Sequence, residues 1–280
     1  MILWFSFIHL LFISQLCLSD DNFQDLKDLL EDMKHNIMNV STNMVTKVDL
    51  ASRLSNLEDS VLRAVSIRHH DYVAEFATAL ELTTTPLECT IGSSVHYSTE
   101  HSIIYNDYVF TVGVKHSRCY KHSGIDIYEL YSSDVVFRLG CPVANAVLNV
   151  TNFVSLRTGD EASTLGFVQG SSRFWNGRLS GRLGVKSMIG NIQFDPDEYL
   201  FEGVTQINGM SGGAALNGVG YTGMVHGISS FGGTGQHLAV VIPAKTIFDG
   251  FLSMSVANKV KYMKKLSDCT NITIIQIPAY

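Results

Sequence analysis

From about residue 80 onward the chain is a succession of short β-rich runs broken by glycine: "YVFTVGV", "IDIYEL", "DVVFRL", "STLGFVQG", "GRLGVKSMI", "GGAALN", "GYTGMVHGI" and "HLAVVI". β-branched and aromatic residues suit a pleated, half-buried surface, whereas glycine weakens helix interiors and marks turns. Many short strands with frequent turns predict an all-β barrel or sandwich. The run ends in "PAKTIFDGFLSMSVANKVKYMKKL", a helical stretch opened by Pro243, whose fixed φ suits a first helical turn. The β region is therefore expected over about residues 80–242, closed by a helix.

Residues 22–67 have a different texture. They contain no glycine or proline, and Phe23, Leu26, Leu30, Met33, Ile37, Val40 and Met44 recur at alternating steps of 3 and 4. That spacing is a coiled-coil seam or the apolar stripe of an amphipathic helix. The register breaks near Lys47 and resumes at Leu50, Leu54, Leu57 and Val61. A helical segment over residues 22–75 is predicted, able to join copies of the chain or to pack on the domain that follows. Ahead of it, residues 2–19 carry no Lys, Arg, Asp or Glu, and Cys17 and Ser19 fit the small positions of a cleavage site. Residues 1–19 read as a secretory signal peptide, with a membrane anchor as the alternative if the segment stays uncleaved.

Secretion gives the other cysteines a use. Cys89, Cys119, Cys141 and Cys269 can form two disulfides in three connectivities, among which the sequence does not choose. Sequons at Asn39, Asn149 and Asn271 are compatible with a glycoprotein. The formal net charge of −6, with no basic block, argues against a nucleic-acid partner.

Ser211 sits among Gly209, Gly212 and Gly213 in "GMSGG", a turn that can bend sharply and point amide hydrogens at one spot. A serine nucleophile needs an imidazole base and a carboxylate to orient it. Asp134 stands directly before the apolar run "VVFRL". His101 precedes it by 33 residues, enough for a strand, a turn and a returning strand, whereas His116 precedes it by only 18. On that spacing His101 is the preferred base, with His96 and His116 as fallbacks.

The order His101, Asp134, Ser211, together with "YSTEHSII", "SSDVVFRL", "GMSGGAALN" and "HLAVVIPAKTIFDGFL", resembles the chymotrypsin-like serine proteases, HtrA-type and viral members above all. The resemblance covers about residues 85–253. It implies two six-stranded antiparallel β-barrels with a C-terminal helix, preceded here by the helical segment. The protease domain is expected at 80–265 and a C-terminal tail at 266–280. The implied activity is a secreted or lumenal serine endopeptidase acting on polypeptides without metal or organic cofactor. His101, Asp134 and Ser211 would be its triad, and the N–H groups of Gly209 and Ser211 its oxyanion hole. A catalytically inactive, protease-like secreted glycoprotein is the alternative. Thr205, His226 and Gly227 fall where the resemblance places the substrate pocket, and Thr205 with His226 resembles the pocket of viral proteases that prefer Gln or Glu. Two departures stand out: Glu100 immediately precedes His101, and Met210 replaces the usual Asp or Asn before the serine. "HSRCYKH" spaces His116, Cys119 and His122 by three, a weak zinc pattern that lacks a fourth ligand.

Overall fold

In a computed structural model of the chain, the described residues are 74–122, 126–130, 132–151, 153–189, 192–203, 209–229, 238–256 and 263–277. The expected signal peptide, the coiled-coil segment up to residue 73 and Thr205 lie outside them. Residues 74–83 form a helix, α1.

The first half of the β region runs β1 (Thr84–Ile91), β2 (Ser94–Tyr105), β3 (Tyr108–Val114), β4 (Asp126–Glu129), β5 (Val135–Leu139) and β6 (Ala146–Asn149). The second half runs β7 (Glu161–Val168), β8 (Ser171–Arg182), β9 (Ser187–Ile189), β10 (Ile192–Phe194), β11 (Tyr199–Glu202), β12 (Ala214–Asn217), β13 (Gly220–Ser229) and β14 (Leu238–Pro243). Helix α2 (Ala244–Val256) follows, then β15 (Lys264–Lys265) and β16 (Thr273–Gln276). Strands β11-β14-β13-β12-β7-β8 close a six-stranded barrel. The first half is an eight-stranded sheet along the path β16-β6-β2-β3-β5-β4, with β1 on β2 and β15 on β3. This is the all-β, chymotrypsin-like arrangement that the resemblance implies, with one closed barrel and a further sheet in place of the other.

The expected helix is present but shorter than the stretch read from the sequence: Pro243 is the last residue of β14, paired with Gly223, the helix starts one residue later, and Lys264–Lys265 at the other end form β15 instead. α2 ties the two halves together through its aromatic side chains. Phe251 lies 5.1 Å from Phe110 of the first sheet, and Phe248 lies 6.0 Å from Tyr221 of the barrel, ring centre to ring centre. Offset and edge contacts of this kind add to the area that the rings bury. The barrel core is filled by Leu179, Tyr199, Phe201, Met210, Val225 and Val241. Met210, the departure from the family pattern, is thus a core residue at 1% exposure.

The segment expected as a tail returns to the first sheet. β16 pairs in parallel with β6, and β15 pairs with β3. Two disulfides resolve the open connectivity: Cys89–Cys119 and Cys141–Cys269. The second fastens this returning segment to the turn after β5. The first commits the Cys119 sulfur, so "HSRCYKH" offers no thiolate to zinc.

Candidate active site

β3 pairs antiparallel with β5, setting Val114 opposite Val135. The residues just past the end of β3 and just before the start of β5 therefore meet. The Lys115 N–H donates to the Asp134 carbonyl at 3.1 Å. One residue on, the His116 N–H donates to Asp134 Oδ1 at 3.0 Å, and His116 Nδ1 bonds to Asp134 Oδ2. Both residues are partly exposed. A carboxylate that holds an imidazole at Nδ1 and its backbone at the amide fixes both the ring's tautomer and its place.

His101 is elsewhere. It lies mid-strand in β2, opposite Val112, and is fully buried. Its Nδ1 donates to the Gly212 carbonyl at 2.7 Å, and its Nε2 lies 2.7 Å from the Tyr221 hydroxyl. Burial pushes its pKa down to about 4, with the Gly212 bond opposing, so the ring is neutral across the physiological range. The expected pairing of His101 with Asp134 is therefore not the one observed, and His116 takes that place. Spacing misled because β3 and β5 are direct neighbours: a 3-10 turn (Cys119–His122) and the four-residue β4 fit within 18 residues. Glu100 neither acts on a base nor points to solvent. It is 2% exposed and paired with Arg138, burial raising its carboxyl pKa while Arg138 opposes the rise.

The serine turn is clamped between strands. The Ser211 carbonyl accepts from the Thr99 N–H at 2.9 Å and from Ser98 Oγ at 3.0 Å. The Gly212 N–H donates to the Val225 carbonyl at 2.7 Å, and Thr99 Oγ1 donates to the Gly209 carbonyl at 2.7 Å. Gly212 has φ +98°, and a Cβ placed there would lie 1.7 Å from the Thr99 carbonyl oxygen, so no other residue fits. Gly209, with φ +108°, would bring a Cβ within 2.5 Å of the Phe167 carbonyl oxygen. Among the described residues, the N–H groups of Gly209 and Ser211 donate to no acceptor, and no hydrogen bond joins the Ser211 hydroxyl to an imidazole.

A second histidine reaches Asp134 from behind. β13 has a bulge between Val225 and Gly227, and His226 occupies it. Such bulges re-aim a side chain. His226 is fully buried, its Nδ1 2.8 Å from Glu198 Oε2 and its Nε2 3.0 Å from Asp134 Oδ2. The Nε2 contact is close but off the line of a well-directed hydrogen bond. Burial lowers the His226 pKa, but the two carboxylates outweigh it and raise it to about 9. The Asp134 carboxyl is pushed up by burial and, more strongly, pulled well below the usual carboxylate range by the two imidazoles.

His226, expected at the substrate pocket, is fully buried, with both ring nitrogens near carboxylates. Gly227 beside it faces the Phe194 ring, which a Cβ would meet at 3.7 Å. The facing atoms of His116, Asp134 and His226 lie within 4.8 Å of one another. Asp134 Oδ2 faces both imidazoles. The sequence reading included His226 in another role and missed Glu198, which has no motif around it.

The fold is similar to that of the HtrA-type protease AlgW with a tripeptide, at TM-score 0.48 and 16% identity, covering 66% of this chain and 64% of that one. It is also similar to the Rv3671c protease from M. tuberculosis in its active form, at TM-score 0.49 and 15% identity, covering 71% and 88%. A third similar structure is a glutamic acid specific serine protease described as using a novel histidine triad in substrate binding, at TM-score 0.43 and 14% identity, covering 60% and 95%. This chain thus spans less than two thirds of the length of the AlgW chain. No family model and no curated protein matches the chain.

Proposed function

We propose that this chain is a serine endopeptidase in which His116 is the general base, Asp134 its orienting carboxylate and Ser211 the nucleophile. The observation that carries this reading is the two-point hold of His116 by Asp134, through backbone and ring together. His116 Nε2 takes the Ser211 proton as Oγ attacks a peptide carbonyl, then delivers it to the leaving amine. Asp134 stabilises the imidazolium formed in between. The Gly209 and Ser211 N–H groups, with no acceptor among the described residues, receive the oxyanion; one such donor is worth about 3–4 kcal/mol of barrier. An acyl-enzyme on Ser211 is then hydrolysed by water. The serine–imidazole bond is one that tightens when substrate closes the site.

The two disulfides fit a secreted or lumenal protein, since such bonds persist in oxidising compartments. No helix among the described residues is long and apolar enough to cross a membrane.

A fluorophosphonate probe tests the assignment. Wild-type protein is expected to label at Ser211, Ser211→Ala to abolish labelling, and His116→Ala to slow it by roughly 10⁴-fold. His101→Gln is expected to lower thermal stability while its folded fraction still labels. Wild type labelling no faster than Ser211→Ala would leave the inactive, protease-like glycoprotein as the function.

A further inference from the structure

We propose that His226 and Glu198 form a buried, charge-neutral extension of the catalytic triad, in which an imidazolium at position 226 holds Asp134 against His116. The inference rests on the triad reading above and assigns the pair a positioning role.

The chemistry of the contacts requires the charge. A neutral imidazole has one N–H and one lone pair, whereas His226 turns Nδ1 to Glu198 and Nε2 to Asp134. With both carboxylates ionised, only the doubly protonated ring offers a donor to each. The line His116–Asp134–His226–Glu198 then carries the net charge that Asp134 alone would carry, because the His226 imidazolium and the Glu198 carboxylate cancel. A lone buried cation would be costly, and Glu198, at 2% exposure, is what compensates it. Glu198 is itself held, its Oε1 accepting from the Asp195 N–H at 3.2 Å.

Among the described residues, the ionisable groups that face His226 are few. Asp134 faces it from the start of β5, Glu198 from the turn before β11, and the His116 ring from the end of β3 at 5.8 Å between centroids. The Phe194 ring of β10, at 4.6 Å, is uncharged and shields the pair. Asp134 is therefore met from three directions: the His116 amide donates to one oxygen, the His116 ring bonds to the other, and His226 Nε2 stands 3.0 Å from that second oxygen as an ion-pair contact. That is more restraint than the His116 contacts alone would give. The device has a built-in limit. Once His226 loses its proton, one ring lone pair must face a carboxylate, and Asp134 is pushed from its place. Deprotonation of His226 falls near pH 9.

The experiment compares full-length wild type with His226→Ser, Glu198→Gln and Ser211→Ala. It reads fluorophosphonate labelling rates from about pH 6 to about pH 10, and NMR signals of the His116 and His226 ring N–H groups over the same range. Wild type should show both His226 ring protons at neutral pH and a labelling rate that falls near pH 9. His226→Ser should slow labelling by roughly 10- to 100-fold, well short of the loss for a triad member, and shift the His116 ring N–H signal. Glu198→Gln should move the alkaline fall to lower pH. Variants that fold and label at the wild-type rate with an unchanged pH profile would overturn the proposal. A wild-type His226 ring with a single N–H at neutral pH would overturn it too, and that measurement decides even if both variants fail to fold. Wild type that does not label but whose His116 signal responds to His226→Ser would fail the protease reading while supporting the positioning role.

Discussion

Gly212 shows how much one residue's missing side chain can decide. Its amide bonds to Val225, its carbonyl accepts from His101, and the backbone of Thr99 occupies the space where a Cβ would stand. Because the clash is with backbone, no rotamer change relieves it. Gly212→Ala is expected to cost about 3–5 kcal/mol in urea unfolding and to remove Ser211 labelling, the range of severe backbone and packing lesions. A variant with wild-type stability and labelling would show that the serine turn is not held as described. His101 belongs to the same clamp, its Nδ1 donating to the Gly212 carbonyl beside Ser211.

The two cross-links do different work as elements. Cys141–Cys269 closes a separation of 128 residues and binds the β15–β16 return to the first sheet; Cys89–Cys119 closes 30. On the chain-entropy account, removing the longer loop costs roughly 5 kcal/mol and the shorter roughly 3.5 kcal/mol. Replacing both cysteines of each pair by serine should therefore lower the unfolding midpoint more for Cys141 and Cys269. The labelling rate should respond in the opposite order, because Cys119 lies three residues after His116 in the turn that follows β3. Equal effects on labelling would mean that this turn does not carry the base.

Across the whole molecule, two buried histidines titrate with opposite sign. His101 has a folded pKa of about 4, below the unfolded value near 6.5, so the unfolded chain binds the extra proton and stability falls as pH drops from 6.5 to 4. His226 has a folded pKa of about 9, so its contribution is complete below 6.5 and is lost as pH rises through 9. Each effect is about 3 kcal/mol at its limit. The depressed carboxyl of Asp134 adds a further loss in strong acid, while the raised carboxyl of Glu100 works against it. Maximum thermal stability is expected near pH 6.5. The alkaline fall should be reduced in Glu198→Gln, and a wild-type melting temperature that is flat from about pH 6.5 to about pH 9.5 would contradict the linkage.

The local texture of the chain was enough to foresee an all-β domain closed by a helix, a serine in a glycine turn and a carboxylate heading an apolar strand. Each of these depends on neighbours in sequence: alternation, turn residues, and a φ that only glycine adopts without strain. Which imidazole meets Asp134 depends instead on which strands lie side by side, and the pairing of β3 with β5 brings residue 116 to residue 134 while β2 buries residue 101 in mid-strand. The disulfide partners and the returning C-terminal strand were settled in the same way. Glu198 lay beyond any sequence reading, because what marks it is a buried contact with a histidine 28 residues further along, and burial is a property of the folded chain.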